Sequence, residues 1–140
     1  MSKSLVFVYG TLKQAYGNNC LLKGSKFVSR ARTQEKFAMY CNGGFPYVTD
    51  KEKTTIIQGE VYEVTPETLA SLDMLEGAGR DERNTHYNRK VVSVVLEDKT
   101  TVDVFMYIVN DRIDLTRFTP VSTGFWVSPR KQIPMFARGR

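Results

Sequence analysis

The sequence predicts an α+β domain that is built mainly from strands and curls into a sheet or small barrel. Several segments alternate apolar and polar residues, as half-buried strands do, and only one segment has convincing helix signals. Many strands with a single helix favour this architecture over a doubly wound parallel sheet. A Rossmann-type nucleotide site is therefore disfavoured.

The first half of the chain is predicted to consist mostly of strands. Residues 5–9 form a short apolar run of β-branched and aromatic residues, and Gly10 ends it, which indicates a buried strand entering a loop. Residues 26–41 and 56–64 each contain alternating stretches compatible with strands. Between them, the Asn-Gly-Gly-Phe-Pro sequence at residues 42–46 predicts a loop.

Residues 89–96 and 101–109 predict a β-hairpin, with residues 97–99 as its turn. In both segments the apolar residues occupy alternate positions, so each strand has one apolar face. These positions are Val92, Val94 and Leu96 in the first strand and Val102, Val104, Met106 and Ile108 in the second.

One helix is predicted after Thr65. Thr65 suits the N-cap, Pro66 the first helical position and Glu67 the positive end of the helix dipole, while Gly77 can end the helix.

Glu76 is the unusual residue of this helix. At roughly 100° per residue it falls inside the apolar arc formed by Leu69, Leu72 and Leu75, whereas Asp73 lies at the edge, where it can reach water or a turn. Burial and the nearby charge of Asp73 would both raise the pKa of Glu76, which suits a general acid and base near neutrality. The alternative is a glutamate at the helix end that turns to solvent or pairs with an arginine: Arg80, Arg83 or Arg89.

Composition sets the class of protein. The 140 residues, 41% of them hydrophobic, predict one domain spanning residues 1–140. No window approaches the roughly 18 apolar residues of a membrane span, and the start lacks a secretory signal, so we expect a cytosolic protein without membrane association.

Cys20 and Cys41 have no His or Cys at a ligand spacing, so reduced thiols are expected and a metal site is not.

Several motifs then occur in the order typical of one family. Residues 6–13 are VFVYGTLK, residues 59–64 are GEVYEV, residues 72–77 are LDMLEG, and residues 87–89 are YNR. They resemble the opening motif, the strand, the LDxxE helix and the YxR strand of gamma-glutamylcyclotransferase-like proteins, above all the gamma-glutamylamine cyclotransferase (AIG2-like) branch. Residues 43–48 are similar to a recurrent loop of that family. The resemblance runs from about residue 5 to residue 107.

The resemblance implies a fold, an activity and a set of site residues. The fold is a small mixed β-barrel with short flanking helices. The implied reaction cyclises a gamma-glutamyl amine or gamma-glutamyl amino acid to 5-oxoproline and releases the attached amine, with no cofactor and no metal. The family places its catalytic glutamate at Glu76 and its substrate-binding loop at Tyr9, Gly10, Thr11 and Leu12, and Tyr87 either offers its hydroxyl to the substrate or packs.

Two alternatives remain open. A non-catalytic module on the same fold could use the basic tail to bind nucleic acid, with Arg130, Lys131, Arg138 and Arg140 as its charges, although no stacking aromatics are interleaved with them, so a nucleic-acid partner is disfavoured. The same chemistry could also act on a different gamma-glutamyl compound. The insert at residues 78–86 is longer and more charged than the family pattern, and the stretch from Asp114 onward matches the amine-releasing branch only loosely, so the released amine stays open. The sequence does not indicate the oligomeric state.

Overall fold

The computed structural model describes residues 3–10, 22, 24–42, 45–76, 87–109 and 113–125, with the backbone alone described at Asn42, Phe45, Leu75 and Glu76. The elements of this part of the chain are β1 (Ser4–Val8), β2 (Lys26–Thr33), β3 (Ala38–Asn42), β4 (Phe45–Thr49), β5 (Gln58–Val64), α1 (Pro66–Glu76), β6 (Tyr87–Leu96), β7 (Thr101–Val109) and β8 (Thr119–Pro120).

Five of the strands close into a barrel in the order β1-β5-β2-β6-β7. Strands β1 and β7 pair in parallel, and the other neighbours in the barrel are antiparallel. A three-stranded sheet in the order β4-β3-β8 accompanies the barrel. The predicted fold class, an α+β domain with a small mixed barrel, is therefore confirmed.

Strand β1 is buried on both faces, which explains its unbroken apolar run. Phe7 packs inside the barrel with Val61 and Met106. On the opposite face, Val8 joins the cluster that contains Leu72 of α1. A strand that is covered on both sides has no face for polar residues, so it shows no alternation.

Gly59 lets β5 approach β1 closely. A Cβ atom at this position would lie 2.3 Å from the backbone oxygen of Val8 and 2.8 Å from Cζ of Phe7. Both distances are far below van der Waals contact, so a larger residue would push the two strands apart.

The predicted hairpin is confirmed. Strands β6 and β7 pair antiparallel from Tyr87 opposite Val109 to Val95 opposite Thr101. In the turn the Lys99 N–H donates to the Leu96 carbonyl oxygen at 2.9 Å. The apolar positions of both strands pack in or against the barrel interior, as their alternation predicted.

The start of α1 also agrees with the sequence. Pro66 is its first residue, and the Thr68 N–H donates to Oγ1 of Thr65 at 3.2 Å, which is N-cap geometry. The helix extends to Glu76, and Gly77 lies outside the described residues. No helix in the described ranges is long and apolar enough to cross a membrane.

The loop predicted at residues 42–46 is wrong at both ends. Asn42 closes β3 and Phe45 and Pro46 open β4, with Cys41 opposite Pro46 in the antiparallel pair. A proline is acceptable here because β4 is an edge strand of its sheet, where a missing N–H need not interrupt a ladder.

Candidate functional site

The end of β1 lies against the start of β4. A Cβ atom on Gly10 would lie 2.8 Å from Cγ and 3.2 Å from Cδ of Pro46. Only a residue without a side chain fits this contact as it stands, because 2.8 Å is too short for two carbon atoms. Glycine at this position therefore brings the candidate substrate loop and β4 together.

Tyr87 is fixed beside this contact. Its hydroxyl donates to the Pro46 carbonyl oxygen at 2.9 Å. Its ring stacks on that of Tyr47, with centroids 5.7 Å apart and planes inclined by 8°. The sequence left open whether Tyr87 offers its hydroxyl to a substrate or packs, and in the structure the side chain does pack and its hydroxyl has a backbone partner.

A chain of hydrogen bonds connects the end of β1 to α1. The buried Tyr9 hydroxyl donates to the Tyr107 carbonyl oxygen at 2.6 Å. The Tyr107 hydroxyl in turn donates to Oδ1 of Asp73 at 2.7 Å, and Nη1 of Arg89 donates to Oδ2 of the same carboxylate at 2.6 Å. The carboxylate of Asp73 thus ties α1 to both β6 and β7.

The value of this ion pair is geometric more than energetic. The side chains of Arg89 and Asp73 are 30% and 26% exposed, so solvent screens their attraction, and pairs of this kind contribute about 1 kcal/mol or less. The guanidinium also lies 4.6 Å from the centre of the Phe105 ring, which limits its freedom. Together these contacts set where the last turn of α1 sits on the barrel.

Glu76 is the last residue of α1, three positions after Asp73. Positions three apart are neighbours on a helix surface, so the candidate catalytic residue belongs to the turn that Asp73 anchors. The charge of Asp73, expected to repel that of Glu76, is offset by Arg89. Of the three arginines that the alternative interpretation offers as partners of Glu76, Arg89 is bonded to Asp73, and Arg80 and Arg83 lie outside the described residues.

Several predicted positions lie outside the described residues. These are Thr11 and Leu12 of the candidate loop, the charged insert at residues 78–86, and the basic tail from residue 128. Of the predicted loop, the structure places Tyr9 in the barrel interior and Gly10 against Pro46.

Sequence reasoning missed the roles of Asp73, Arg89 and Pro46. Each lies in a motif that resembles one of the family, so the motifs marked these positions. Motif matching does not say which residues bond to each other. Asp73 has the access to water that its place at the edge of the stripe predicts, with 26% of its side chain exposed, and it also bonds across 34 positions to Tyr107.

The described residues include no group of three or more His, Cys, Asp or Glu side chains placed to hold a metal ion. Cys41 is a free, half-buried thiol.

Comparison with solved structures identifies the class of fold. A mouse AIG2-like protein superposes with a TM-score of 0.72, over 94% of this chain and 99% of that one, at 23% identity. YkqA from Bacillus subtilis superposes with a TM-score of 0.69 at 28% identity, over 99% of this chain and 44% of that one. The fold is that of AIG2-like proteins.

Comparison of sequences gives the family. Residues 6–128 match the family described as gamma-glutamyl cyclotransferase, AIG2-like. A protein of Methanocaldococcus jannaschii with the provisional name gamma-glutamylcyclotransferase is 43% identical over 103 residues, which are 73% of this chain and 81% of that protein. The chain belongs to the AIG2-like gamma-glutamyl cyclotransferase family, and the resemblance found in its motifs is confirmed.

Proposed function

We propose that this protein cyclises the gamma-glutamyl group of a small molecule to 5-oxoproline and releases the attached amine, with Glu76 as general acid and base. The observation that supports this most is the bonding chain from Tyr9 through Tyr107 to Asp73. It couples the candidate substrate loop after β1 to the helical turn that carries Glu76.

The reaction is an internal acyl transfer. The α-amine nitrogen of the substrate attacks its own γ-carbonyl carbon, a new C–N bond closes the five-membered ring, and the original amide C–N bond breaks. Atoms balance without water, since the products are 5-oxoproline and the free amine. Because both reacting groups belong to one molecule, holding the cyclising conformer can be worth up to about 10 kcal/mol.

The proton transfers require one carboxyl group. In the proposal, the Glu76 carboxylate accepts a proton as the α-amine attacks and donates it to the departing nitrogen, which leaves poorly as an anion. The neutral carboxyl exists only between the two steps, so the carboxylate is regenerated at the end of each cycle.

The loop after β1 supplies the remaining interactions of the proposal. Its backbone N–H groups, at Gly10, Thr11 and Leu12, would bind the substrate α-carboxylate or the oxyanion that develops on the γ-carbonyl. Tyr9 anchors the start of the loop, and Tyr87 forms a rigid wall beside it. The release of an amine in particular, and a location in the cytosol, rest on the resemblance and on the sequence.

The test compares wild type with Glu76→Gln on a panel of gamma-glutamyl amines and gamma-glutamyl amino acids, with 5-oxoproline measured by mass spectrometry. The amide keeps the shape of the side chain but cannot exchange a proton in the same way, so we expect a loss of at least a hundredfold in kcat. Glu67→Gln is the matched control, because it removes the same charge from an exposed position in the first turn of the same helix.

A wild type that makes 5-oxoproline, a Glu67→Gln variant within about twofold of it and an inactive Glu76→Gln variant support the proposal. An active Glu76→Gln variant contradicts the role of Glu76. If wild type converts none of the panel, the non-catalytic binding module becomes the better account.

A further inference from the structure

Asp73 and Arg89 form an ion pair at the helical turn that carries Glu76. Nη1 of Arg89 lies 2.6 Å from Oδ2 of Asp73, and the Tyr107 hydroxyl donates to Oδ1 at 2.7 Å. Both carboxylate oxygens of Asp73 thus accept a hydrogen bond, as an ionised carboxylate does. Besides anchoring α1, the two side chains place a negative and a positive charge beside this turn.

The charge of Asp73 is close to the position of Glu76. Helix α1 includes both residues, and residues three apart on a helix have Cβ atoms roughly 5–6 Å apart. At such a separation a second negative charge disfavours the ionisation of a carboxyl group. Glu76 has to be ionised to accept the first proton of the proposed reaction. A charge on Asp73 without a partner would therefore narrow the pH range of activity from the acid side.

Arg89 supplies a constant opposite charge. A guanidinium stays protonated throughout the pH range in which enzymes work, whereas a histidine in its place would lose its charge near neutrality. The group is also held in place, because it contacts the Phe105 ring, 4.6 Å from the ring centre, as well as Asp73. The pair therefore presents Glu76 with almost no net charge at any such pH.

The other titratable groups near this turn come from the strands on which α1 packs. Among the described residues these groups are Tyr9 after β1, Glu60 and Tyr62 of β5, Tyr87 of β6 and Tyr107 of β7. Tyrosine hydroxyls are uncharged near neutral pH. Glu60 accepts a hydrogen bond from Tyr62 at 3.1 Å. Its carboxyl group is the same in every variant compared below, so it does not contribute to the differences between them.

We propose that the Arg89–Asp73 pair balances charge beside Glu76, and that Arg89 thereby sets the lower limit of the pH range in which Glu76 acts as a proton acceptor. This inference rests on the proposed cyclotransferase function. Arg89 and Asp73 act through Glu76 and take no part in the bond changes themselves. Because 30% and 26% of their side chains are exposed, water screens part of the effect, which is therefore moderate.

The kinetic test compares wild type, Arg89→Met, Asp73→Asn and the double variant by their kcat/KM as a function of pH. One γ-glutamyl substrate is used, so its own titration is the same throughout. Arg89→Met leaves Asp73 without a partner, so the pH below which activity falls should rise by about 0.5 unit or more. Asp73→Asn leaves the positive charge alone, so that pH should fall by a similar amount. Because the two shifts have opposite signs, either single variant tests the proposal if the other does not fold.

The double variant separates charge from anchoring. It lacks both charges, so its acid limit should return to within about 0.2 pH unit of wild type. It also lacks the bond between α1 and β6, so kcat should stay lowered about threefold or more, because the turn is less well positioned. A purely structural role of the pair would lower kcat in all three variants and leave the acid limit where it is in wild type.

Lys90 and Asp50 provide the matched control. Nζ of Lys90 lies 2.8 Å from Oδ2 of Asp50, and the two side chains are 44% and 33% exposed, so this pair is also partly screened. Lys90 follows Arg89 on β6, and successive side chains of a strand point to opposite faces. Lys90→Met and Asp50→Asn should therefore leave the acid limit within about 0.2 pH unit of wild type.

Carboxyl ¹³C NMR makes the test independent of turnover. The Glu76 signal is the one that Glu76→Gln lacks. Its titration midpoint should be highest in Arg89→Met, intermediate in wild type and the double variant, and lowest in Asp73→Asn. Equal midpoints in all four proteins overturn the proposal, as does a double variant that titrates like Arg89→Met. Midpoints in the expected order in a protein that makes no 5-oxoproline from the substrate panel support the charge balance and contradict the proposed function.

Discussion

Gly10 and Gly59 are both glycines because another group occupies the space of a side chain, but they face different kinds of group. A Cβ at Gly59 would meet the backbone oxygen of Val8, which cannot move without the strand. A Cβ at Gly10 would meet the ring of Pro46, which a substitution can remove. The two contacts therefore differ in how they respond to mutation.

We predict that Gly10→Ala and Pro46→Ala are coupled. In wild type the added methyl group collides with the proline ring and should lower the free energy of unfolding by about 1–3 kcal/mol. In Pro46→Ala the ring is absent, so the same methyl group should cost less, by more than about 0.5 kcal/mol. Urea denaturation of the four proteins measures the coupling, and costs that simply add would show that the contact does not determine the residue at position 10.

Tyr107 is the residue through which the loop after β1 and the last turn of α1 are joined. Its carbonyl oxygen accepts from Tyr9, and its hydroxyl donates to Asp73. The side chain itself is buried, with 2% of its surface exposed. A variant that lacks only the hydroxyl therefore tests the hydrogen bond to Asp73 while the ring stays in the core.

We predict that Tyr107→Phe lowers kcat about fivefold to tenfold and leaves KM within about twofold. The hydrogen bond that holds Asp73 is lost, which is worth about 1 kcal/mol, and the turn that carries Glu76 becomes less well positioned. Steady-state kinetics on the best γ-glutamyl substrate measure both constants.

Tyr62→Phe is the control for that variant, because Tyr62 belongs to the same buried cluster as Leu72 of α1 and its hydroxyl donates to Oε1 of Glu60 at 3.1 Å. It should leave kcat unchanged. If Tyr107→Phe behaves like Tyr62→Phe, or if it changes KM alone, Tyr107 does not position the catalytic turn.

Among the elements, the β6–β7 hairpin follows most directly from the sequence, apart from one residue of its turn. Lys99 has a φ of 73°, and no other described residue except glycine has a positive φ. A lysine in this left-handed conformation is strained, since its Cβ crowds the backbone. The hairpin forms because its apolar face and its ladder outweigh that strain.

We predict that Lys99→Gly raises the free energy of unfolding by about 0.5–1 kcal/mol, because glycine accepts a positive φ at no steric cost. Lys53→Gly is the matched control at an exposed lysine without a positive φ, and it should be neutral or destabilising. Thermal or urea denaturation compares them. A Lys99→Gly protein that is less stable than wild type would mean that its side chain contributes more than its strain costs.

At the scale of the whole molecule, the sequence predicts the elements whose signals lie within a few neighbouring residues. The hairpin and the helix start follow from period, capping and turn residues, which act over a few positions. The three-stranded sheet could not be predicted in this way. Phe45 and Pro46 follow two glycines and have the sequence of a loop, and only the pairing with β3 makes them part of a strand. The pairing of Asp73 with Arg89 and Tyr107 depends on how the barrel closes, and no local pattern encodes it.

The predicted site residues also divide into features that a local motif indicates and contacts that depend on the folded barrel. Motifs indicated Glu76, Gly10 and Tyr87, because families preserve residue types at fixed spacing. They could not indicate that the Tyr87 hydroxyl bonds to the Pro46 carbonyl oxygen. That one domain spans residues 1–140 stays a prediction, as does a location in the cytosol.

The central claim is that the γ-glutamyl group is lost by cyclisation and not by hydrolysis, and the most direct measurement is to run the reaction in H₂¹⁸O. Attack by the internal amine predicts 5-oxoproline without ¹⁸O, formed by wild type and not by Glu76→Gln. Glutamate that carries ¹⁸O in its γ-carboxyl group would show that water is the nucleophile and would contradict the account.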